Sequence, residues 1–127
     1  MKKVILSINA LKAMNFLLET VLGPKNTVEL VSDVVRGMQV LKNRNKVDVI
    51  ILDIDNNTPE ILEFIYHVKS SRLYSNSEIL VIGTSSKIEA NITELQSVTK
   101  IFPKPFSPEL LVDYVTNLSE EKKINVA

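Results

Sequence analysis

VDVIILDI, residues 47–54, is apolar nearly throughout, with acids only at Asp48 and Asp53. A strand with one face in water alternates apolar and polar side chains. A strand covered on both faces does not, and such strands belong to parallel sheets sandwiched between helices. EILVIG, residues 78–83, reads the same way. Two runs of this kind predict an α/β domain in which residues 47–54 form the central strand.

The flanking sequence fits that frame. VILSI at 4–8 and KIF at 100–102 are further short apolar runs, and TVELV at 27–31 alternates as a sheet-edge strand would. Helical spacing fills the intervals. ALKAMNFLLETVL places Leu11, Met14, Leu18 and Val21 or Leu22 on one stripe and stops at Gly23-Pro24. SDVVRGMQVLKNR repeats Val34 or Val35, Met38 and Leu41. TPEILEFIYHVKS begins with Thr58 as cap and Pro59 as first helical residue. SKIEANITELQSV spaces Ile88, Ile92 and Leu95 as a helix does, over residues 86–98. SPELLVDYVTNLSEE has Ser107 as cap and Pro108 in the first turn. Five strands alternating with five helices give one domain over residues 1–120, helices on both faces of a parallel sheet. Residues 121–127 are expected to form a short tail, frayed or docked on a partner through Ile124 and Val126.

Composition narrows the function. The chain has 127 residues, 45% of them apolar, enough for one domain with its own core. Fifteen basic residues balance fifteen acidic ones with no basic block, so nucleic acid is not expected as a partner. There is no cysteine, which excludes disulfides, thiolate chemistry and cysteine metal sites. MKKVILSIN has a basic start, but its apolar run ends too early for a leader and no small-residue cleavage pattern follows. No run reaches the length of a membrane helix, so no membrane partner is expected and the location expected is the cytoplasm. Three scattered glycines make no phosphate-binding loop. His67, the single histidine, falls mid-helix with no second ligand near it in sequence and reads as a surface or boundary residue.

In open parallel sheets, ligands bind beyond the carboxyl ends of the strands. Asn9 falls there after the first strand, Asp53 and Asp55 at the third, Gly83-Thr84-Ser85 at the fourth, and Lys104 at the fifth. KIFPKPFSPE, residues 100–109, carries three prolines. Pro103 and Pro105 restrict the backbone under Lys104. A strand-end acid is ordinarily a cap or a polar exit from the core. An ammonium on the same edge changes that balance, because it stabilises a carboxylate and would equally stabilise phosphoryl oxygens.

The chain resembles the receiver domains of response regulators, the phospho-accepting modules of two-component signalling, over essentially its whole length. DVIILD at 48–53 is similar to the strand that ends in the phosphorylated aspartate, and KPF at 104–106 to the lysine followed by proline and an aromatic. The resemblance implies a flavodoxin-like (βα)₅ fold with strand order 2-1-3-4-5 and Asp53 as phosphoacceptor. It also implies that Lys104 grips the phosphoryl group from within salt-bridge reach of Asp53, and that the Lys104–Pro105 bond is cis. It implies a signal transducer rather than an enzyme, a sensor histidine kinase or phosphotransfer protein as donor, and a downstream protein target. A homodimer or partner contact is expected on the face of helix 4, strand 5 and helix 5.

The departures are as informative. The family ends its first strand with an acidic pair that holds Mg²⁺, and here the pair is Ile8 and Asn9. Magnesium takes hard oxygen ligands. Asp53, Asp55 and Asn9 are left as the candidate set, and Mg²⁺ is expected to bind weakly if at all. Asp55 either restores a charge to that set or is a solvated loop acid. The switch hydroxyl position holds Gly83; either Thr84, one residue on, serves, or no hydroxyl does. The aromatic switch position holds Ile101, and Phe102 points to the opposite face. Two readings stay open: a working receiver phosphorylated on Asp53, and a phosphorylation-independent pseudo-receiver serving as a protein-interaction module. A small hydrolase or ligand-binding α/β protein is the remaining class.

Overall fold

The computed structural model describes the backbone of residues 2–126 and the side chains of residues 2–118. The strands are β1 (Val4–Ile8), β2 (Thr27–Val31), β3 (Val49–Asp53), β4 (Glu78–Gly83) and β5 (Lys100–Pro103). The helices are α1 (Lys12–Leu22), α2 (Val34–Asn43), α3 (Thr58–Ser70), α4 (Ser85–Ala90) and α5 (Pro108–Val126). The strands form one parallel sheet in the order β2-β1-β3-β4-β5, the flavodoxin-like arrangement, with VDVIILDI at its centre. β2 lies at the edge, and none of its five residues is fully buried.

Alternation along each strand sends side chains to two cores. Ile5, Val49, Ile51, Leu80, Ile82 and Phe102 pack under α1 and α5. Leu6, Ile8, Ile50, Leu52, Ile79 and Val81 pack under α2, α3 and the α4 region. Ile101 joins the second core and Phe102 the first, so the two do face opposite sides. Gly37 lets α2 settle on the sheet: a Cβ there would lie 2.4 Å from Cδ1 of Ile8.

Three helical boundaries differ from the sequence reading. Leu11 is the residue preceding α1, 48% exposed, rather than part of its buried stripe. The buried stripe runs instead through Asn15, Leu18 and Leu22. Asn57, not Thr58, precedes α3, in the left-handed conformation at φ 56° that asparagine tolerates. The Thr58 hydroxyl then donates back to the carbonyl of Ile54. α4 stops at Ala90, eight residues short of the expected end, and residues 91–97 continue as tight turns. The Asn91 side chain bonds the carbonyl of Lys87, and turn bonds such as Ile92 to Glu89 and Leu95 to Ile92 replace helical ones. Ile88 and Leu95 are buried as their spacing predicts, but Ile92 is 51% exposed. At α5, Ser107 accepts from the Leu110 amide as a cap does. The side chains of the expected tail, including Ile124 and Val126, lie outside the described residues.

Candidate functional site

The parallel register brings the predicted residues to one edge. Asp53 is level with Ile82 of β4, and Ile82 with Phe102 of β5. β5 runs on until the Lys104 amide bonds the carbonyl of Gly83, and the Lys104–Pro105 bond is cis. Lys104 therefore has to reach across the end of β4, and the residue it crosses there is a glycine.

Its ammonium lies 2.7 Å from Oδ2 of Asp53 and 2.9 Å from Oδ2 of Asp55. Asp53 is buried, 3% exposed, and each of its oxygens is used. Oδ1 accepts from the Asp55 amide at 2.9 Å. Oδ2 accepts from Lys104 and, at 3.0 Å, from the side-chain amide of Asn9. Asp55 is not a solvated loop acid. Its Oδ1 accepts both from the Thr84 amide at 2.9 Å and from the Thr84 hydroxyl at 3.0 Å. Burial alone would raise the carboxyl pKa of Asp55. The Thr84 N–H, the Lys104 ammonium and the Thr84 hydroxyl outweigh it and hold the pKa below its usual 3.8. Burial likewise works against the Lys104 charge, but Asp53 and Asp55 together raise its pKa above 10.5.

Thr84 thus joins the cluster, but its hydroxyl bonds Asp55 rather than Asp53. The glycine before it has a steric cause. A Cβ at position 83 would lie 2.7 Å from Cγ1 of Ile54, which is fully buried. No side chain fits on Gly83 while Ile54 stands where it does.

Two buried polar residues behind Asp53 were not among the sequence candidates for the site. The Asn15 amide group donates to the carbonyls of Asn9, at 3.3 Å, and Val31, at 3.1 Å. Its oxygen accepts from the Ser7 hydroxyl at 2.7 Å. The backbone fixes both amide orientations. Carbonyls only accept, so Asn15 must present its nitrogen to them. The Leu11 amide only donates, so it holds Oδ1 of Asn9 at 2.8 Å and leaves the Asn9 nitrogen for Asp53. The available signal was a polar residue at the spacing of Leu18 and Leu22, on a face that should be apolar.

In this arrangement Asn9 offers no free oxygen ligand to a cation beside Asp53. The hard oxygen that Asn9 could offer is tied to the Leu11 amide, and what it aims at Asp53 is a donor. Ile8 is buried against Gly37 of α2. Among the described residues no group of three or more histidines, cysteines, aspartates and glutamates converges to hold a metal ion. His67 is exposed on α3 and packs its ring near Tyr74. No described helix is long and apolar enough to cross a membrane. A cleft of about 830 Å³ lies at the opposite end of the sheet, between Lys3, Val47, Tyr74 and Ser77, away from this cluster.

No protein-family model matches the sequence, and no curated protein matches it. Solved structures do match the fold. The chemotaxis response regulator CheY4 of Vibrio cholerae is 22% identical, with TM-score 0.79 over 92% of this chain and 98% of that one. A putative response regulator from Chloroflexus aurantiacus J-10-fl is 23% identical, with TM-score 0.80 over 92% and 97%. The signal receiver domain of an HD domain-containing protein from Pseudomonas fluorescens Pf-5 is 16% identical, with TM-score 0.80 over 97% and 98%. With five parallel strands in this order, and an acid and a lysine joined at their carboxyl edge, the chain has the fold of the CheY-like response-regulator receiver domains.

Proposed function

We propose that the chain is a receiver-type signalling module that acts through protein–protein contacts, with Asp53 at the phosphoacceptor position, and that its output does not depend on magnesium-assisted phosphorylation. The receiver part of the reading rests on the fold and on the Asp53–Lys104 pair. The second part rests on one observation above all: Asn9 meets Asp53 with a hydrogen-bond donor, where a phosphorylatable site needs an oxygen ligand for a cation. Two carboxylates and one ammonium leave the cluster with a single formal negative charge. Phosphorylation would exchange the single charge of the Asp53 carboxylate for the nearly two of an acyl phosphate, and Lys104 is the one cation the cluster holds against the increase.

The other form of the reading is a conventional relay, in which a sensor histidine kinase or phosphotransfer protein loads Asp53 and the altered surface recruits a target. The Lys104–Asp53 pair suits both forms, and the Asn9 donor is what favours the first. In either form the contact surface we infer is the one around α4, β5 and α5. Ile92 and Leu110 are 51% and 64% exposed there, and the Lys100 ammonium lies over the Tyr114 ring at 5.8 Å. Such a module could meet a downstream protein or a second copy of itself.

The test is intact-mass measurement after treatment with acetyl phosphate, with and without Mg²⁺, on the wild type, Asn9→Asp and Asp53→Asn. The expected result is no phosphoryl adduct on the wild type, and Mg²⁺ affinity that rises in Asn9→Asp by calorimetry. A Mg²⁺-dependent adduct on wild-type protein that disappears in Asp53→Asn would overturn the phosphorylation-independent reading and restore the relay.

A further inference from the structure

Three donors from two loops converge on one carboxylate. The Thr84 amide and hydroxyl come from the β4–α4 loop and the Lys104 ammonium from the β5–α5 loop, at 2.9, 3.0 and 2.9 Å from Asp55. Asp55 itself comes from the β3–α3 loop. Its Oδ1 lies 3.5 Å from where a Cβ on Gly83 would stand, over the space a side chain there would fill. A backbone N–H, a hydroxyl and an ammonium pointing at one place form an oxyanion-binding pocket, because each can donate and one carries charge. Lys104 is shared with Asp53, so an anion attached to Asp53 would compete with Asp55 for that ammonium.

We propose that Asp55 is a built-in anion: its carboxylate fills an oxyanion pocket formed by the Thr84 amide, the Thr84 hydroxyl and Lys104, and so ties the three loops together with no phosphoryl group present. The pocket's chemistry suits a tetrahedral or planar oxyanion such as phosphate, sulfate or a carboxylate, and the chain supplies that ligand itself. Three features support this over a chance contact. Both carboxylate oxygens of Asp55 are engaged, each by the loop it faces. The side chain is only 17% exposed, so the pairing is partly shielded from water. The residue that would crowd it, at position 83, is a glycine held small by Ile54. The pocket's meaning for signalling rests on the receiver-type reading above. Its occupancy by Asp55 does not, and the two are tested separately: acetyl phosphate addresses Asp53, and the experiment below involves no covalent chemistry.

The experiment is titration of wild-type protein and Asp55→Ala with sodium sulfate and with inorganic phosphate, against sodium chloride at matched ionic strength. Thermal melting and the ¹⁵N-resolved Thr84 amide signal are the readouts. Removing the resident anion should open the pocket, so Asp55→Ala should melt lower and regain melting temperature saturably with sulfate or phosphate. Its Thr84 amide should move with the same midpoint, and its apparent affinity should exceed the wild type's by about tenfold or more, since a competing negative charge has gone. Adding Lys104→Met to Asp55→Ala should abolish the response. If Asp55→Ala does not fold, Asp55→Asn keeps the shape and drops the charge, and should show the same response more weakly. Equal responses in wild type and variant, or no saturable response in whichever variant folds, would overturn the proposal.

Discussion

Replacing Lys104 with methionine keeps all but the last atom of the side chain's length and removes the charge that holds Asp53 and Asp55 together. Asp53 has 2% of its side chain exposed, Lys104 19% and Asp55 17%. Removing one partner of a fully buried ion pair costs about 3–5 kcal/mol, mostly because a charge is left buried without compensation. Two features reduce that here. Lys104 and Asp55 keep some solvent, and Asp53 retains the Asn9 amide and the Asp55 N–H. One feature adds to it, because the two carboxylates then face each other unscreened. A cost of about 2–4 kcal/mol follows. At about 4 °C per kcal/mol for a domain of this size, the melting temperature should fall by about 8–16 °C. Lys100→Met is the control, since Lys100 is exposed and meets only the Tyr114 ring among the contacts described, worth about 0.5–1 kcal/mol. Adding Asp53→Asn to Lys104→Met should restore part of the loss, because it neutralises the orphaned carboxylate. Calorimetric melting of the four proteins measures both effects. The reasoning fails if Lys104→Met costs no more than Lys100→Met, or if Asp53→Asn makes the double variant less stable still.

Three further outcomes are expected. Asn15→Leu should destabilise by about 2–4 kcal/mol in urea unfolding, because the Ser7 hydroxyl and the Asn9 carbonyl lose their partner in a buried place; a cost below about 0.5 kcal/mol would show that water replaces the amide. Gly83→Ala should cost about 1–3 kcal/mol through the contact with Ile54, and Ile54→Ala in the same chain should make the pair of changes less than additive; strict additivity in denaturant melts would contradict the steric account. Stability should also depend on pH at both ends. The lowered pKa of Asp55 gives stability that is present above the unfolded value near 3.8 and is lost as pH falls through the folded value. The raised pKa of Lys104 gives stability that is complete below 10.5 and lost as pH rises through the folded value. Lys104→Met should therefore flatten the alkaline limb relative to wild type, and an unchanged limb would count against the pairing.

What could be read in the sequence was what a side chain's own solvation dictates. β3 and β4 are buried on both faces, so their apolar runs announce a parallel sheet without reference to the rest of the chain. Asp53 and Lys104 were legible as a pair because sheet topology, once inferred, leaves strand ends few places to go. α4 was over-extended because spacing records burial and not backbone conformation. Ile88 and Leu95 are buried as a helix would bury them, but Asn91 diverts its side chain to a backbone carbonyl and the chain turns through Ile92 on tighter bonds. Both Asn57 and Thr58 suit a helix entrance in sequence, but only Asn57 readily takes the left-handed conformation used there, so it and not Thr58 precedes α3. The role of Asn15 was hidden for a different reason. Its hydrogen bonds go to backbone carbonyls, which every residue has, so no pattern of side chains marks its partners.

The departures from the family pattern look independent in sequence and are one arrangement in space. Ile54, directly after Asp53, is fully buried and leaves no room for a Cβ on Gly83. With no side chain at 83, the nearest hydroxyl is that of Thr84, and the space above the glycine is free. Asp55 enters that space and collects the Thr84 amide, the Thr84 hydroxyl and Lys104. Asp55 and Asp53 then share one ammonium, which leaves one uncompensated negative charge beside a buried carboxylate. An aspartate at position 9 would make it two, with a cation needed to hold them; asparagine offers an N–H instead and makes none necessary. Together these residues leave Asn9, Asp53 and Asp55 each with hydrogen-bond partners inside the cluster, and no buried polar side-chain atom among the described residues lacks one.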